Sequence, residues 1–354
     1  NKNSTYVWSD WLSFGKWETH IKRSSKSPDS HLAKISTDEF IIKGSYTDTA
    51  SKIQIRALLH TENTNVTPSI RQFVISYKDN TPRLKSIEIP SNKIIDVPSY
   101  SQYIRDKNIG GVICSPTSIT MLLNRRNENL IVEETAWSCF DYDYEAFGNW
   151  LFNVAFASSL GYESFVEYGN LKSLKREIYS EYPVAVSVKY TNDINNLEYP
   201  YIENAPITTA GNILVVRGFE KKDGIDYVVV NDPAGKSNES VTRRYKLSEF
   251  ESAWHRGSNI MYIIHDKEVE INNNRIEASL ELKNNKENLY SVLVNDTYLD
   301  LSSDFVKTIL ITYDNGLTFE YLVPYNNHYL ALENKNKCVI YIIGSDGFTY
   351  VCNC

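Results

Sequence analysis

A single cysteine, Cys114, lies between a glycine-rich loop and an amphipathic helical run in the stretch QYIRDKNIGGVICSPTSITM. Gly110 and Gly111 give the backbone freedom to turn tightly. Ser115 and Pro116 predict an N-cap followed by the first helical position, so we expect a helix to start at the cysteine. The helix dipole and the unpaired N–H groups there favour a thiolate, which makes Cys114 a candidate nucleophile. The structural alternative is a small core residue at a strand-to-helix junction.

A thiol nucleophile also needs a base or imidazolium partner, and a third group that orients that partner. Gln102 is a candidate side-chain donor to an oxyanion beside the sulfur. Asp232 ends the strand-like run YVVVND and precedes Pro233, so it is a candidate orienting carboxylate. The structural alternative for Asp232 is a cap of the turn at that strand end. The fold must therefore bring distant parts of the chain together.

Length and charge limit the class of protein. The chain has 354 residues and a net charge of -7, which indicates two or three globular domains and argues against a nucleic-acid partner. No apolar run reaches the ~18 residues that cross a bilayer, and the opening NKNSTYVW lacks the apolar region of a signal peptide. Many short Tyr-, Val- and Ile-rich segments separated by polar residues are typical of secreted or cell-surface proteins. We therefore expect a secreted or cell-surface protein without a transmembrane segment.

The chain has five cysteines, so at least one is unpaired or bonds to another chain. Cys338 and Cys352 flank the hairpin-like run CVIYIIGSDGFTYVC, and a turn centred near Ser345 and Asp346 would place them opposite each other for a disulfide. Cys354 is the alternative partner, and reduced thiols are the third option. The spacing of the cysteines and histidines does not fit a metal site, and no cofactor is implied.

The elements that must position these residues fall into three segments. Residues 1–92 contain the runs DEFIIKGSY, KIQIRALLH and SIRQFVISYK, which predict an antiparallel β-sandwich serving as an accessory domain. Residues 267–354 contain ASLELKNN, LYSVLVND, VKTILITYD, FEYLVPY and CVIYIIG, which predict a C-terminal all-β module. Within it, Asp-Asn-Gly in ILITYDNGLTFEYL predicts a hairpin.

The segment 93–266 changes from helical to strand-like patterns. Helices are predicted in PTSITMLLNR, from Asn149 to Leu160 with Gly161 closing the C-terminal turn, and in NLKSLKREIYS. Strands are predicted at 183–190, 212–220 and 226–232, followed by a strand and helix in RRYKLSEFESAWHRG and a last strand in IMYIIH. The run KKDG is a hairpin turn. We expect an α+β domain in which a cysteine-bearing helix packs on an antiparallel sheet.

Residues 93–265 resemble the C39-like cysteine peptidases, a branch of the papain-like superfamily. The resemblance is carried by VPSYSQ with GGVICSPTSITML, by GNWLFNVAFASSLGYESFVEY, by YPVAVSVKY, and by GNILVVRGFEKKDGIDYVVVNDPAG with RRYKLSEFESAW. It implies a papain-like fold with Cys114 as the nucleophile and Gln102 serving the oxyanion hole. It also implies that Asp232 orients a catalytic histidine.

The histidine implied by the resemblance belongs to a Gly-His pair that opens a strand, and this chain has Gly211-Asn212 there. A carboxamide has no titratable nitrogen near neutral pH, so Asn212 can neither take the Cys114 proton nor pair with a thiolate. Loss of a general base typically costs ~10²–10⁴ in rate. Three explanations stay open: a binding protein on a peptidase scaffold, a hydrolase that recruits His255 or His265, and an asparagine introduced to trap an active enzyme.

The sequence therefore predicts a cysteine peptidase that hydrolyses peptide or amide bonds with low or absent activity. The alternative is a catalytically inactive homologue that binds peptide or the cell wall. The expected partner is a peptide or protein substrate, with a cell-wall peptide as one option. The sequence specifies neither the substrate nor the oligomeric state.

Overall fold

The computed structural model describes residues 7–44, 49–78, 92–271, 275–333 and 337–354. Within these ranges the chain is a mixed α/β protein with a seven-stranded sheet, an eight-stranded sheet and two small two-stranded sheets. None of the helices in these ranges has the length and apolar character to cross a membrane. The same ranges contain no cluster of His, Cys, Asp or Glu side chains with the arrangement of a metal site.

The described part of the N-terminal segment contains four short strands. They are β1 (Gly15–Lys16), β2 (Ser24–Ser25), β3 (Ala33–Ser36) and β4 (Glu39–Ile42). Strands β1 and β2 pair with each other, as do β3 and β4. The β-sandwich predicted over 1–92 is not found in the described residues of this range, because KIQIRALLH and SIRQFVISYK form neither strand nor helix. Without a facing sheet their apolar side chains, including Ile53 and Phe73, stay exposed.

The central segment has five α-helices and seven strands. The helices are α1 (Cys114–Asn124), α2 (Val132–Cys139), α3 (Trp150–Ser159), α4 (Leu171–Tyr179) and α5 (Leu247–Arg256). The strands are β5 (Lys93–Ile94), β6 (Tyr162–Tyr168), β7 (Val184–Tyr190), β8 (Thr209–Lys222), β9 (Ile225–Asn231), β10 (Thr242–Lys246) and β11 (Ile260–Lys267). They form an antiparallel sheet in the order β10-β9-β8-β7-β11-β6, with β5 added beside β8. Helix α1 packs against β7 and β8, so the cysteine lies at the centre of this domain.

Local signals explain several of these boundaries. The side chain of Asn149 caps α3 by accepting a hydrogen bond from the Phe152 N–H, and Gly161 ends the helix with φ of 96°. The turn between β8 and β9 has positive φ at Asp223 and Gly224, as a two-residue hairpin turn requires. Helix α2 and edge strand β6 were not predicted from the sequence.

In the C-terminal segment, residues 275–333 and 337–354 contain eight strands. They are β12 (Ile276–Asn284), β13 (Leu289–Val294), β14 (Thr297–Tyr298), β15 (Val306–Thr312), β16 (Glu320–Tyr321), β17 (Leu330–Ala331), β18 (Val339–Gly344) and β19 (Thr349–Asn353). The sheet order is β14-β13-β12-β19-β18-β15-β16, with β17 beside β13. The predicted Asp-Asn-Gly turn joins β15 to β16, with positive φ at Asn315 and Gly316.

The disulfide joins Cys338 and Cys354, whose Cα atoms are 5.0 Å apart. Of the two partners considered for Cys338, Cys352 is wrong, because β18 and β19 pair Ile340 with Cys352 and Val339 with Asn353. That register places Cys338 opposite Cys354. Cys352 is instead a free thiol buried in the core of the C-terminal sheet.

Arg23 links the N-terminal segment to the central segment by hydrogen bonds. Its guanidinium is fully buried and donates to the carbonyl oxygens of Trp137 and Thr19, each over 2.7 Å. Close to the guanidinium lies Gly347, in the turn between β18 and β19, where an added Cβ would be 3.4 Å from Nη2. The N-terminal segment, the end of α2 and the C-terminal sheet therefore meet at one arginine.

Candidate active site

Cys114 is the first residue of α1. The prediction that Ser115 caps the helix is wrong: Ile113 occupies the N-cap position without a side-chain cap, and Pro116 lies within the first turn. The Ser115 hydroxyl instead pairs with the phenolic oxygen of Tyr262 at 2.9 Å, in the buried interior. The helix nevertheless starts at the cysteine, with its positive dipole end beside the sulfur.

The cysteine faces a part of strand β8 that pairs with β7 on one edge and extends beyond β9 on the other. Strand β9 pairs with β8 only as far as Asn231 opposite Val215. Beyond that pair, the Ile213 N–H donates a hydrogen bond to the Cys114 sulfur. One turn further along α1, the Ser118 hydroxyl donates to the Ile213 carbonyl over 2.9 Å. Helix α1 therefore completes the hydrogen bonding of β8 and fixes the sulfur next to residue 212.

Burial raises the pKa of the Cys114 thiol, and the nearby Asp232 charge raises it further. The N–H groups of Ile213, Ser115 and Cys114 itself oppose this by hydrogen bonding to the sulfur. The balance leaves the pKa of the thiol above its usual value, so the sulfur is protonated at neutral pH. The helix start alone does not produce a thiolate here.

Asn212 and Asp232 lie side by side in the interior. Asn212 Nδ2 donates to Asp232 Oδ1 over 3.0 Å and to Tyr190 Oη over 3.1 Å. The carboxylate also accepts from Tyr190 Oη at 2.7 Å, from Tyr245 Oη at 2.8 Å and from the Ala234 N–H at 3.0 Å. Asp232 is fully buried, and four donors satisfy its two oxygens.

The hydrogen bonds fix the orientation of the Asn212 amide. A carboxylate oxygen only accepts, so the atom facing Asp232 must be the Nδ2 group. The second Nδ2 hydrogen goes to Tyr190 Oη, whose own proton goes to Asp232. Burial raises the pKa of both Tyr190 and Tyr245 well above the usual phenol value, which keeps both hydroxyls protonated as donors.

Gln102 lies at the start of a short 3₁₀ turn, Gln102–Ile104. Its backbone N–H donates to the Pro233 carbonyl over 2.9 Å, next to Asp232. Its side-chain Nε2 donates to the Gly110 carbonyl over 2.9 Å, and its buried Oε1 has no hydrogen-bond partner among the described residues. One Nε2 hydrogen thus remains for another acceptor.

The glycine at position 110 is needed for close approach rather than for an unusual turn. A Cβ there would lie 2.8 Å from the Gln102 carbonyl oxygen, closer than two such atoms can pack. At Gly111 an added Cβ would meet nothing within 4 Å. Gly110 therefore lets the loop before Cys114 close against Gln102.

The four residues selected from the sequence are thus linked by a continuous series of contacts. Cys114 bonds to β8 beside Asn212, and Asn212 bonds to Asp232. The carbonyl of the next residue, Pro233, accepts a hydrogen bond from the Gln102 N–H. The Gln102 side chain in turn donates to the loop that precedes the cysteine. Sequence reasoning missed Tyr190 and Tyr245, because a tyrosine at the end of a strand carries no local sign that its hydroxyl reaches a carboxylate.

The two histidines considered as substitute bases bond elsewhere. His265 lies between Glu163 and Glu177, with each ring nitrogen 2.8 Å from a carboxylate oxygen. His255 is exposed at the end of α5, with Nδ1 3.0 Å from Asn259 Oδ1. Both rings already have partners, and none of these three partners belongs to the site around Cys114.

Several solved structures are similar to this chain. A double glycine motif protease from an AMS/PCAT transporter, in complex with the leader peptide, is 16% identical with a TM-score of 0.32, covering 50% of this chain and 98% of its own. A C39-like peptidase from Bacillus anthracis is 16% identical with a TM-score of 0.37, covering 51% and 100%. Digestive procathepsin L 3 of Tenebrio molitor larval midgut is 13% identical with a TM-score of 0.35, covering 52% and 73%.

No curated protein matches the chain. The model of the Peptidase_C39 like family matches residues 94–261, which hold all four site residues. Residues 94–261 of this chain are therefore similar to the C39-like peptidase family.

Proposed function

We propose that the chain is a C39-like peptidase homologue that holds a peptide or protein segment at Cys114 and hydrolyses it slowly or not at all. The observation that carries the proposal is the 3.0 Å hydrogen bond between Asn212 and Asp232. Residue 212 is oriented by the buried carboxylate of Asp232 and is next to Ile213, whose N–H bonds to the Cys114 sulfur. A general base for the thiol would occupy this position. Here that residue is an amide.

In this arrangement Cys114 is the nucleophile, and the free Nε2 hydrogen of Gln102 is available to a developing oxyanion. Asp232 orients residue 212 through its hydrogen bond. Attack on a carbonyl requires the sulfur to lose its proton, and Asn212 has no basic nitrogen to accept it. With the pKa of the thiol raised by burial, the thiolate fraction at neutral pH is small.

The decisive experiment is Asn212→His. An imidazole held by Asp232 would take the thiol proton and form a thiolate–imidazolium pair, so we expect peptide hydrolysis to rise by about 10²–10⁴-fold. The alkylation of Cys114 by iodoacetamide at pH 7 should rise with it. Asn212→His combined with Cys114→Ala is the control, and it should be inert.

A second candidate function is peptide or cell-wall binding without turnover, favoured by the complete pairing of the Asn212 Nδ2 hydrogens with Asp232 and Tyr190. If Asn212→His gains no hydrolysis while peptides still protect Cys114 from iodoacetamide, the hydrolase proposal fails and the binding function stands. Export remains part of the proposal, and the Cys338–Cys354 disulfide supports an oxidising compartment.

A further inference from the structure

The loop that precedes Cys114 is held from the C-terminal sheet. Asp106 Oδ2 accepts a hydrogen bond of 2.7 Å from the Thr308 hydroxyl of β15. Both residues are buried, with 7% and 4% of their surfaces exposed, so water does not replace this contact. Thr308 is 202 residues from Asp106 in the chain and belongs to the other large sheet.

Asp106 in turn shapes the loop. Its carbonyl oxygen accepts from the N–H groups of Ile109 at 3.0 Å and Gly110 at 2.7 Å. Its Oδ1 accepts from the Asn108 N–H at 2.9 Å. Gly110 then receives the side chain of Gln102 on its carbonyl oxygen. A shift of Asp106 would therefore move the group that holds Gln102, four residues before Cys114.

A second contact reaches the same loop from the same sheet. The Asp106 N–H donates to Glu133 Oε1 over 3.0 Å, and the Tyr321 hydroxyl donates to the same carboxylate oxygen. Glu133 is 1% exposed and lies in the first turn of α2. Burial raises the pKa of Tyr321, which keeps its hydroxyl a donor. The loop is thus held at both the backbone and the side chain of Asp106.

The strand carrying Thr308 is irregular at this point. The pairing of β15 with β18 shifts register between Val306, opposite Gly344, and Thr308, opposite Ile343. Such a bulge changes the direction of the following side chains. The Thr308 hydroxyl also accepts from Trp137 Nε1 at 3.4 Å. This local departure from a regular ladder coincides with the contact to the loop.

We propose that the C-terminal sheet helps to fix the geometry of the site. Thr308 is a positioning residue: through Asp106 it fixes the position of the Gln102 side chain and of the loop that leads to Cys114. The inference rests on the proposed function of the cleft. It assigns to the C-terminal module a role in the geometry of the site rather than in attachment alone.

The test is Thr308→Val, which keeps the shape of the side chain and removes the hydroxyl. Thr312→Val is the matched control, because Thr312 is a buried threonine on the same strand whose hydroxyl bonds to Asp314 in the hairpin turn. In the Asn212→His background, Thr308→Val should lower kcat by about tenfold or more with KM unchanged. Thr308→Ser should restore it, and Thr312→Val should leave it intact.

The alkylation of Cys114 by iodoacetamide, followed against pH, provides a readout that needs no turnover. We expect the profile to change in Thr308→Val and to match the unaltered protein in Thr312→Val. Identical profiles in both variants would overturn the inference. If Asn212→His without a second substitution shows no hydrolysis, the proposed hydrolase function is contradicted. The comparison of Cys114 alkylation in Thr308→Val and Thr312→Val still decides the role of Thr308.

Tyr321→Phe keeps the inference testable if Thr308→Val does not fold. Tyr321 is 37% exposed, so its ring is not part of the buried core, and Tyr321→Phe removes only the hydroxyl that donates to Glu133. We expect the Cys114 alkylation profile to shift in the same direction and by less. A profile equal to that of the unaltered protein would contradict the role of the C-terminal sheet.

Discussion

The hydroxyl of Tyr190 donates a 2.7 Å hydrogen bond to Oδ2 of Asp232. Tyr190→Phe removes this donor and also the acceptor of one Asn212 hydrogen. A buried hydrogen bond to a charged group is worth about 1.5–3 kcal/mol, so we expect the free energy of unfolding to fall by about that amount. Urea denaturation measures it, with Tyr144→Phe at an exposed tyrosine as the control. Equal losses in the two variants would contradict a strong Tyr190–Asp232 bond.

The reactivity of Cys114 in the unaltered protein should follow its raised pKa. Because the thiolate is the reactive form, we expect the iodoacetamide rate to keep rising as pH increases through and beyond the ordinary thiol range. Mass spectrometry of the Cys114 peptide measures the rate. Burial raises the pKa of Cys139 to about 12 and that of Cys352 to about 11, so both should label more slowly. A plateau reached below pH 7 would show an activated thiolate instead.

Gly110→Ala and Gly111→Ala form a matched pair. The first places a Cβ 2.8 Å from the Gln102 carbonyl oxygen, and the second places one in open space. Forcing the loop apart should cost about 1–3 kcal/mol in Gly110→Ala, with little change in Gly111→Ala. Chemical denaturation compares them. Similar stabilities would mean that the loop before Cys114 is not closely packed on Gln102.

The His265 contacts predict a pH dependence of stability. Hydrogen bonds to Glu177, and then to Glu163, raise the pKa of His265 against the opposing effect of burial. Since the folded-state pKa is above the unfolded value of about 6.5, the stabilisation is complete below that pH. It is lost as pH rises through the folded-state pKa. Other ionisable groups near the ring are Tyr182, whose ring centroid is 4.5 Å from that of His265, and Glu167 and Asp266, whose charges interact with it.

His265→Gln tests this dependence. The difference in unfolding free energy between the protein and His265→Gln should be large at pH 6 and should shrink towards pH 9. His255→Gln, at an exposed histidine of α5 that bonds to Asn259, is the matched substitution away from Glu163 and Glu177. A difference that is constant with pH would rule out the charged form of His265 as the source of stability.

The disulfide assignment is open to direct mapping. Peptide analysis without reductant should recover Cys338 linked to Cys354, with Cys352 free. Closure of a 15-residue loop is worth about 3 kcal/mol, and this one spans 16 residues, so Cys354→Ser should lose stability of that order. Reductant should lower the stability of the unaltered protein by a similar amount and should leave the stability of Cys354→Ser unchanged. A Cys338–Cys352 peptide would require a different register of β18 and β19.

The parts of the fold that were predictable from the sequence are those that depend on interactions between neighbouring residues. Asn149 and Gly161 delimit α3 because capping and positive φ depend on neighbouring residues alone. The placement of Cys114 at a helix start follows from the same kind of signal. The disulfide partner depended on the register of two strands, and a displacement of the turn by one residue changes the partner from Cys352 to Cys354.

The remaining features depend on contacts between distant segments. The two tyrosine donors to Asp232 come from β7 and β10, and no pattern in either strand marks Tyr190 or Tyr245 as a partner of a buried carboxylate. The raised pKa of Cys114 likewise follows from burial, which opposes the local helix dipole. Alternation in SIRQFVISYK indicates a strand, but a strand forms only where another one is available to pair with it.

The buried guanidinium of Arg23 bears on how this molecule unfolds. It joins carbonyl groups of the N-terminal segment to those at the end of α2, beside the turn of the C-terminal sheet. Segments that share such a contact lose it together, so we expect the parts of the three segments that meet at Arg23 to unfold together. Amide hydrogens near Arg23 should therefore exchange with solvent only when the peptidase-like domain opens as a whole.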